Sequence, residues 1–464
     1  MSLYQARVKE IPPLPKNLEI KIYGSKDVKP EIRELFPNLS RQTSTEKIAK
    51  SPLKVGVVLS GGQAPGGHNV INGLLDALGP KSRLIGFLDG PKGVIENTFR
   101  ELKAEEVHRF RNTGGFDMIG SGRTKIETPE QFQASLKTAR EHALDGLVII
   151  GGDDSNTNAA LLAEYFLAKS QPTAVVGVPK TIDGDLKNSY IEQSFGFDTA
   201  VKVYSEIVGN ILKDALSAKK YWYFIRLMGR SASHITLEVA RRTHPNLTLI
   251  SEEHKSLEAL LNEITTLITE RARLKKPYGA LLIPEGIIES LPELPKELFE
   301  GASYDAHGNL EVSKIEVERF FINLVKKRLD PSISFSAQPL FLGYEGRSAF
   351  PSHFDACYTY ALGHAAAYLV AKGETGKMAT ILGLQHPVSE WTLQGAPLLD
   401  MLTLEKRKGQ LKPVIEKTLV DLNSPSYLDF RRNSAAWALD DAYLSPGPIQ
   451  FWGPKEVVEE VVKL

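Results

Sequence analysis

The chain has little cysteine, no charge imbalance and no long apolar run. One cysteine in 464 residues excludes an internal disulfide and any cysteine cluster that could hold a metal. It fits a reducing, cytoplasmic setting. Lys+Arg and Asp+Glu both number 56, so there is no basic excess of the kind a general polyanion binder shows. Nucleic acid is not an expected partner. A run of about 18 apolar residues is missing, so no membrane span is expected. The opening MSLYQARVKEIPPLPKN lacks the apolar stretch of a signal peptide. The rest is ordinary for a globular protein, with 42% hydrophobic and 24% charged residues. At roughly 150 residues per domain, the length suggests about two or three domains.

Residues 1–52 are rich in proline and charge and read as an extension over the body. From Leu53 the pattern changes. LKVGVVLS reads as a buried parallel strand, GGQAPGG as a turn and NVINGLLDAL as a helix. LIGFLDG, DGLVIIGG, TAVVGVPKTI, WYFIRLMG, LTLIS, YGALLIPEG and PLFLGYEG read as further strands. DDSNTNAALLAEYFLA, the amphipathic stretch 198–216 and SASHITLEVARR read as helices between them. Strands alternating with helices imply βαβ units and an α/β fold with helices on both faces of a parallel sheet. Residues 286–336 look like an insertion with one helix near 314–329, and 301–312 like a flexible loop. The remainder, 386–464, reads as a C-terminal helical region packing on the body.

In such sheets ligands bind beyond the carboxyl ends of the strands, and the motifs fall there. Gly61-Gly62-Gln63-Ala64-Pro65-Gly66-Gly67 has more glycine than a tight turn needs. Glycine lets the backbone approach an anion, and the following helix offers free N–H groups. No Gly-Lys-[ST] follows, so this is not a Walker A loop. Gly151-Gly152-Asp153-Asp154-Ser155-Asn156 suits two readings. Asp, Ser and Asn are ordinary N-cap residues, while paired carboxylates after glycines also suit Mg²⁺ and phosphate. Pro179-Lys180-Thr181-Ile182-Asp183-Gly184-Asp185 puts two carboxylates beside a lysine. A carboxylate can take the proton of an attacking hydroxyl, and a lysine can offset charge on a transferring phosphoryl group. Asp-Gly-Asp is also common turn chemistry. Met228-Gly229-Arg230, Pro284-Glu285-Gly286 and Tyr344-Glu345-Gly346-Arg347 each follow an apolar strand. They offer a carboxylate for sugar hydroxyls and guanidiniums for phosphate. Arg123, in IGSGRTK, and Lys220-Tyr221 are further phosphate-seeking candidates.

GGDDSN, PKTIDGD, YFIRLMGR, PEG and GYEGR in one chain resemble the phosphofructokinase family, from about Leu53 to about Gly363. Within it the chain is most similar to the long-type pyrophosphate–fructose 6-phosphate 1-phosphotransferases, such as the plant beta subunit and certain bacterial enzymes. The resemblance implies two Rossmann-like parallel-sheet domains with the active site in the cleft between them. Residues 53–200, with a return from the C-terminal part, would bind pyrophosphate and Mg²⁺, and 201–385 would bind fructose 6-phosphate. It implies reversible phosphoryl transfer from pyrophosphate to the sugar 1-hydroxyl, a step of glycolysis and gluconeogenesis. Gly62 would lie at the pyrophosphate, and Asp153 would be the Mg²⁺ carboxylate. Asp183 would be the base, with Thr181 and Ile182 lining its loop and Asp185 supporting it. Arg123 would face the transferred phosphate. Asp154 would exclude ATP and Lys180 would contact pyrophosphate. Met228, Gly229, Arg230, Glu285, Tyr344, Glu345, Gly346 and Arg347 would hold fructose 6-phosphate. Lys220 and Tyr221 would reach a neighbouring subunit's sugar phosphate, which implies a homodimer or higher homo-oligomer with shared sites. The alternatives are an ATP-dependent phosphofructokinase and a non-catalytic regulatory subunit. ATP users of the family usually carry glycine at the second position of the GGDD pair. A regulatory subunit would be expected to have lost the base loop, yet Asp183 and Asp185 are both present.

Overall fold

The structure is a computed structural model and describes residues 2–42, 51–291, 315–407, 409–462 and 464. The loop expected at 301–312 lies outside the described residues. Fifteen strands are present among those described. They are β1 (Lys21–Ile22), β2 (Lys54–Leu59), β3 (Arg83–Phe87), β4 (Phe99–Glu101), β5 (Gly146–Gly151), β6 (Ala174–Thr181), β7 (Phe195–Gly196) and β8 (Trp222–Leu227). The rest are β9 (Leu247–Thr248), β10 (Gly279–Pro284), β11 (Ala337–Leu342), β12 (Lys377–Leu382), β13 (Thr392–Pro397), β14 (Leu402–Arg407) and β15 (Gln410–Ile415).

Nine strands form one sheet in the order β1-β13-β12-β6-β5-β2-β3-β4, with β7 paired to β6. The central strands β3, β2, β5, β6 and β12 are parallel. β4 and β13 join their neighbours antiparallel. A second sheet, β11-β8-β10-β9, is parallel throughout. This is the two-sheet α/β architecture expected. β2 and β5 read as unbroken apolar runs because helices cover both faces, and both are buried along nearly their whole length.

One buried cluster runs from Val55 and Val57 of the large sheet, through Phe197, Tyr204 and Val208, to Ile225 and Leu282 of the small one. Helices Phe197–Ala218 and His353–Ala371 carry the chain between the sheets. The second packs on helix Gly67–Leu78 with backbones nearly touching. A Cβ on Gly73 would collide with the Tyr360 carbonyl, and one on Gly363 with that of Val70. Side chains at either position would force the two helices apart.

Two expectations need correction. Residues 386–464 are not a helical region: they hold β13 and the β14–β15 hairpin before the long helix Pro425–Leu439. Residues 377–382, counted with the sugar-binding half, form β12 of the large sheet. In both cases the strands are short and pair chiefly with a neighbouring strand, β12 with β13 and β14 with β15, and strand preference in such segments depends on the partner more than on the residues themselves. The N-terminal extension adds β1 to the sheet edge beside β13. Among the described residues no helix is long and apolar enough to cross a membrane.

Candidate active site

Strand register brings the motifs to common levels. In the large sheet Leu59 pairs with Ile150 and Gly151 with Pro179, so the loops after β2, β5 and β6 leave the sheet side by side. In the small sheet Leu227 pairs with both Pro284 and Leu342, which aligns the loops after β8, β10 and β11. The two sets face each other. An atom added at the Cβ position of Gly62 would lie 3.5 Å from Arg347 Nη1 and 3.9 Å from Arg123 Nη2. The first loop therefore sits under two guanidiniums, one from each half. Its Gly61 and Gly66 adopt φ of +82° and +108°, a left-handed geometry that favours glycine.

Lys180 points between the two glycine loops. Its Nζ is 3.4 Å from a Cβ built on Gly61 and 3.9 Å from one built on Gly152. Burial pushes its pKa down to about 8, against the pull of Asp183 and Asp153, while Arg123 and Arg347 lower it further. A buried ammonium next to two arginines lies in a region prepared for anions.

Asp153 and Asp154 begin helix Asp153–Ala168, where the helix end favours negative charge. Both are engaged. Lys125 lies 3.1 Å from Asp154, and Lys417 lies 3.4 Å from Asp153. Lys417 is also 3.6 Å from Asp185 and donates a hydrogen bond to Ser231 Oγ at 2.8 Å. Burial opposes the charge of Lys417, but Asp153 and Asp185 outweigh it and hold its pKa above the ordinary lysine value.

The loop after β6 is tied down locally. The Asp183 N–H donates to Thr181 Oγ1 at 3.1 Å, and Ser194 Oγ donates to the Thr181 carbonyl at 2.9 Å. Ile182 is buried and Asp183 half-buried. Burial, and then the charge of Asp183, push Asp185 up to about 7. The same two causes push Glu285 to about 7. Glu285 accepts the Gly229 N–H at 3.3 Å. Met228 is buried and Arg230 half-buried beside it. In the Tyr344–Arg347 turn, the Arg347 guanidinium lies 4.7 Å from the Tyr344 ring centroid. The Gly343 N–H donates to Glu345 at 2.8 Å. Tyr204 donates to the Gly343 carbonyl at 2.5 Å and lies directly against Gly346.

The structure thus brings together Gly62, Arg123, Asp153, Asp154, Lys180, Thr181, Ile182, Asp183, Asp185, Met228, Gly229, Arg230, Glu285 and the Tyr344–Arg347 turn. Lys220 and Tyr221 are not in that set. They precede β8 at its amino end, six residues of strand away from Met228, a span of about 20 Å. Lys220 is exposed, with its ammonium 5.0 Å from the Tyr221 ring centroid.

Three contributors were not anticipated. Lys125 lies within IGSGRTK, two residues after Arg123, and was legible as a further cation of that motif. Tyr204 reads only as a core position of its helix. Lys417 had no sequence signal: EKTLVD carries no motif, and the hairpin before it was not expected.

A phosphofructokinase family model matches residues 54–370. A Porphyromonas gingivalis protein named pyrophosphate–fructose 6-phosphate 1-phosphotransferase is 46% identical, over 99% of this chain and 97% of its own. Subunit beta 2 of the Arabidopsis thaliana enzyme of that name is 45% identical, over 91% of this chain and 85% of its own. Among solved structures, the pyrophosphate-dependent phosphofructokinase of Nitrosospira multiformis matches with a TM-score of 0.64 at 17% identity, covering 89% of this chain and 96% of that one. A match at that identity speaks to the fold.

Proposed function

The chain belongs to the phosphofructokinase family, and from that premise we propose that it reversibly transfers a phosphoryl group from pyrophosphate to the 1-hydroxyl of fructose 6-phosphate. The observation that carries the donor assignment is the pair Asp154–Lys125, 3.1 Å apart at the start of the helix after β5. A carboxylate held there repels the extra phosphate of a nucleotide, while Lys180, buried between the two glycine loops, attracts pyrophosphate. Attraction for one donor combined with repulsion of the other is how a site discriminates.

In this reading the Gly61–Gly67 loop, Arg123 and Lys180 bind pyrophosphate. Arg230, Glu285 and the Tyr344–Arg347 turn hold the sugar phosphate and its hydroxyls. Asp183 takes the proton of the 1-hydroxyl as it attacks phosphorus. Mg²⁺ fits Asp153 and Asp185: both carboxylates converge on one point, which the Lys417 ammonium marks at 3.4 and 3.6 Å. Bound there, Mg²⁺ would neutralise charge on the phosphate oxygens.

The donor assignment is checked by steady-state kinetics with each donor. The wild type is expected to use pyrophosphate and show little turnover with ATP. Asp154→Gly should gain ATP turnover and lose about one to two orders of magnitude in kcat/KM for pyrophosphate. Comparable efficiency with both donors in the wild type would remove Asp154 from donor selection.

Lys220 and Tyr221 lie too far along β8 to serve the pocket of their own chain. A two-fold dimer would bring the amino end of one β8 beside the neighbour's pocket. Lys220→Ala and Arg347→Ala are each expected to be nearly inactive. Mixed in equal amounts with subunit exchange, they should recover about a quarter of wild-type turnover, because half the dimers are hybrids with one intact site. Confirmed exchange without recovery would show that the sites are not shared.

A further inference from the structure

We propose that Lys417 is a built-in counter-cation at the divalent-metal position between Asp153 and Asp185, so that the metal enters together with pyrophosphate rather than ahead of it. This rests on the reading above, in which those carboxylates serve Mg²⁺. The Lys417 ammonium is 3.4 Å from Asp153 and 3.6 Å from Asp185. It therefore stands where a cation shared by both carboxylates would stand. Its third partner, Ser231 Oγ at 2.8 Å, follows Arg230 in the sugar-phosphate loop. One ammonium thus touches three loops, two from the large sheet and one from the small.

The backbone that delivers it is fixed on both sides. The Ile415 N–H donates to Thr157 Oγ1 at 3.1 Å. The Thr418 N–H donates to the Asp185 carbonyl at 2.8 Å, and Thr418 Oγ1 donates to that of Lys187 at 2.6 Å. His234 Nε2 donates to the Thr418 carbonyl at 3.0 Å. The ammonium itself is on a four-carbon stem with freely rotating bonds, and the side chain is 22% exposed. The anchor is rigid and the charge can turn.

Mg²⁺ gives up its water reluctantly and favours one or two carboxylates plus substrate phosphate oxygens. Two carboxylates that already share one ammonium keep only half their charge unmatched and offer less to a hydrated free ion. Pyrophosphate changes the balance by bringing its own negative oxygens. The metal then takes the carboxylates, and the ammonium turns onto phosphate. No covalent bond forms or breaks in this exchange. If Lys417 only tied the hairpin to its neighbours, removing it would leave metal affinity unchanged or weaker.

The test is Mn²⁺ binding to the full chain without pyrophosphate, followed by the electron paramagnetic resonance of free Mn²⁺. Lys417→Met is expected to bind Mn²⁺ about tenfold tighter than the wild type or better, since one positive charge has left a site within about 4 Å. Lys417→Arg should stay near the wild type. The melting temperature of Lys417→Met should also rise more on adding Mn²⁺ than that of the wild type. With imidodiphosphate present, the two proteins should differ by no more than a few-fold. Equal or weaker Mn²⁺ affinity in a folded Lys417→Met would overturn the proposal, and Lys417→Gln serves the same comparison should the Met variant fail to fold. The metal reading itself fails separately, if wild-type turnover with pyrophosphate needs no divalent ion.

Discussion

Replacing Asp183 by asparagine is expected to lower kcat by about two to four orders of magnitude, the usual size of a general-base contribution. Asparagine keeps the shape of the side chain and leaves the backbone N–H bond to Thr181 Oγ1 in place. What it cannot do is accept the proton of the sugar 1-hydroxyl. The alcohol would then have to attack phosphorus while still protonated, or lose its proton to water. Binding of fructose 6-phosphate should survive, because Arg230, Glu285 and Arg347 come from the other sheet. The variant also removes a charge that helps push up both Asp185 and Glu285. Sugar affinity should therefore change by only a few-fold. The decisive measurement pairs kcat with calorimetric affinity for fructose 6-phosphate. Turnover near the wild-type level would mean that another group takes the proton.

The parts of this site that could be read from the sequence are those where one strand and the loop after it form a single unit. GLVIIGG followed by DDSN had to be a buried strand running into a helix, and helix Asp153–Ala168 begins at the paired carboxylates. The same logic placed PKTIDGD, MGR, PEG and YEGR at strand ends. Side chains whose position depends on tertiary packing were not legible. Lys417 reaches Asp153 because the β14–β15 hairpin packs one turn further along the same helix through Thr157. No local period encodes that contact. β12 was missed for a related reason: it pairs β6 over only two residues and gains most of its partners from β13. β1 is two residues long and exists only because β13 offers an edge.

Lys180→Met is expected to cost about two to three orders of magnitude in kcat with pyrophosphate, the scale for losing one preorganised charge at a developing anion. The residue suits this role because it is buried and cannot be replaced by solvent. Methionine matches the length of the stem, so the loss should be of charge rather than of packing. Its titration supplies an independent check. Burial has brought the lysine down to about 8, so the ammonium is present below that pH and is lost as pH rises through it. The kcat/KM for pyrophosphate, which reports groups of the free enzyme, should fall above about pH 8. Guanidinium stays charged throughout the accessible range, so in Lys180→Arg this alkaline fall should move upward or vanish, even though the level of activity drops. An alkaline limb that is the same in the wild type and in Lys180→Arg would assign it to another group, and near-normal turnover in Lys180→Met would separate Lys180 from phosphoryl transfer altogether.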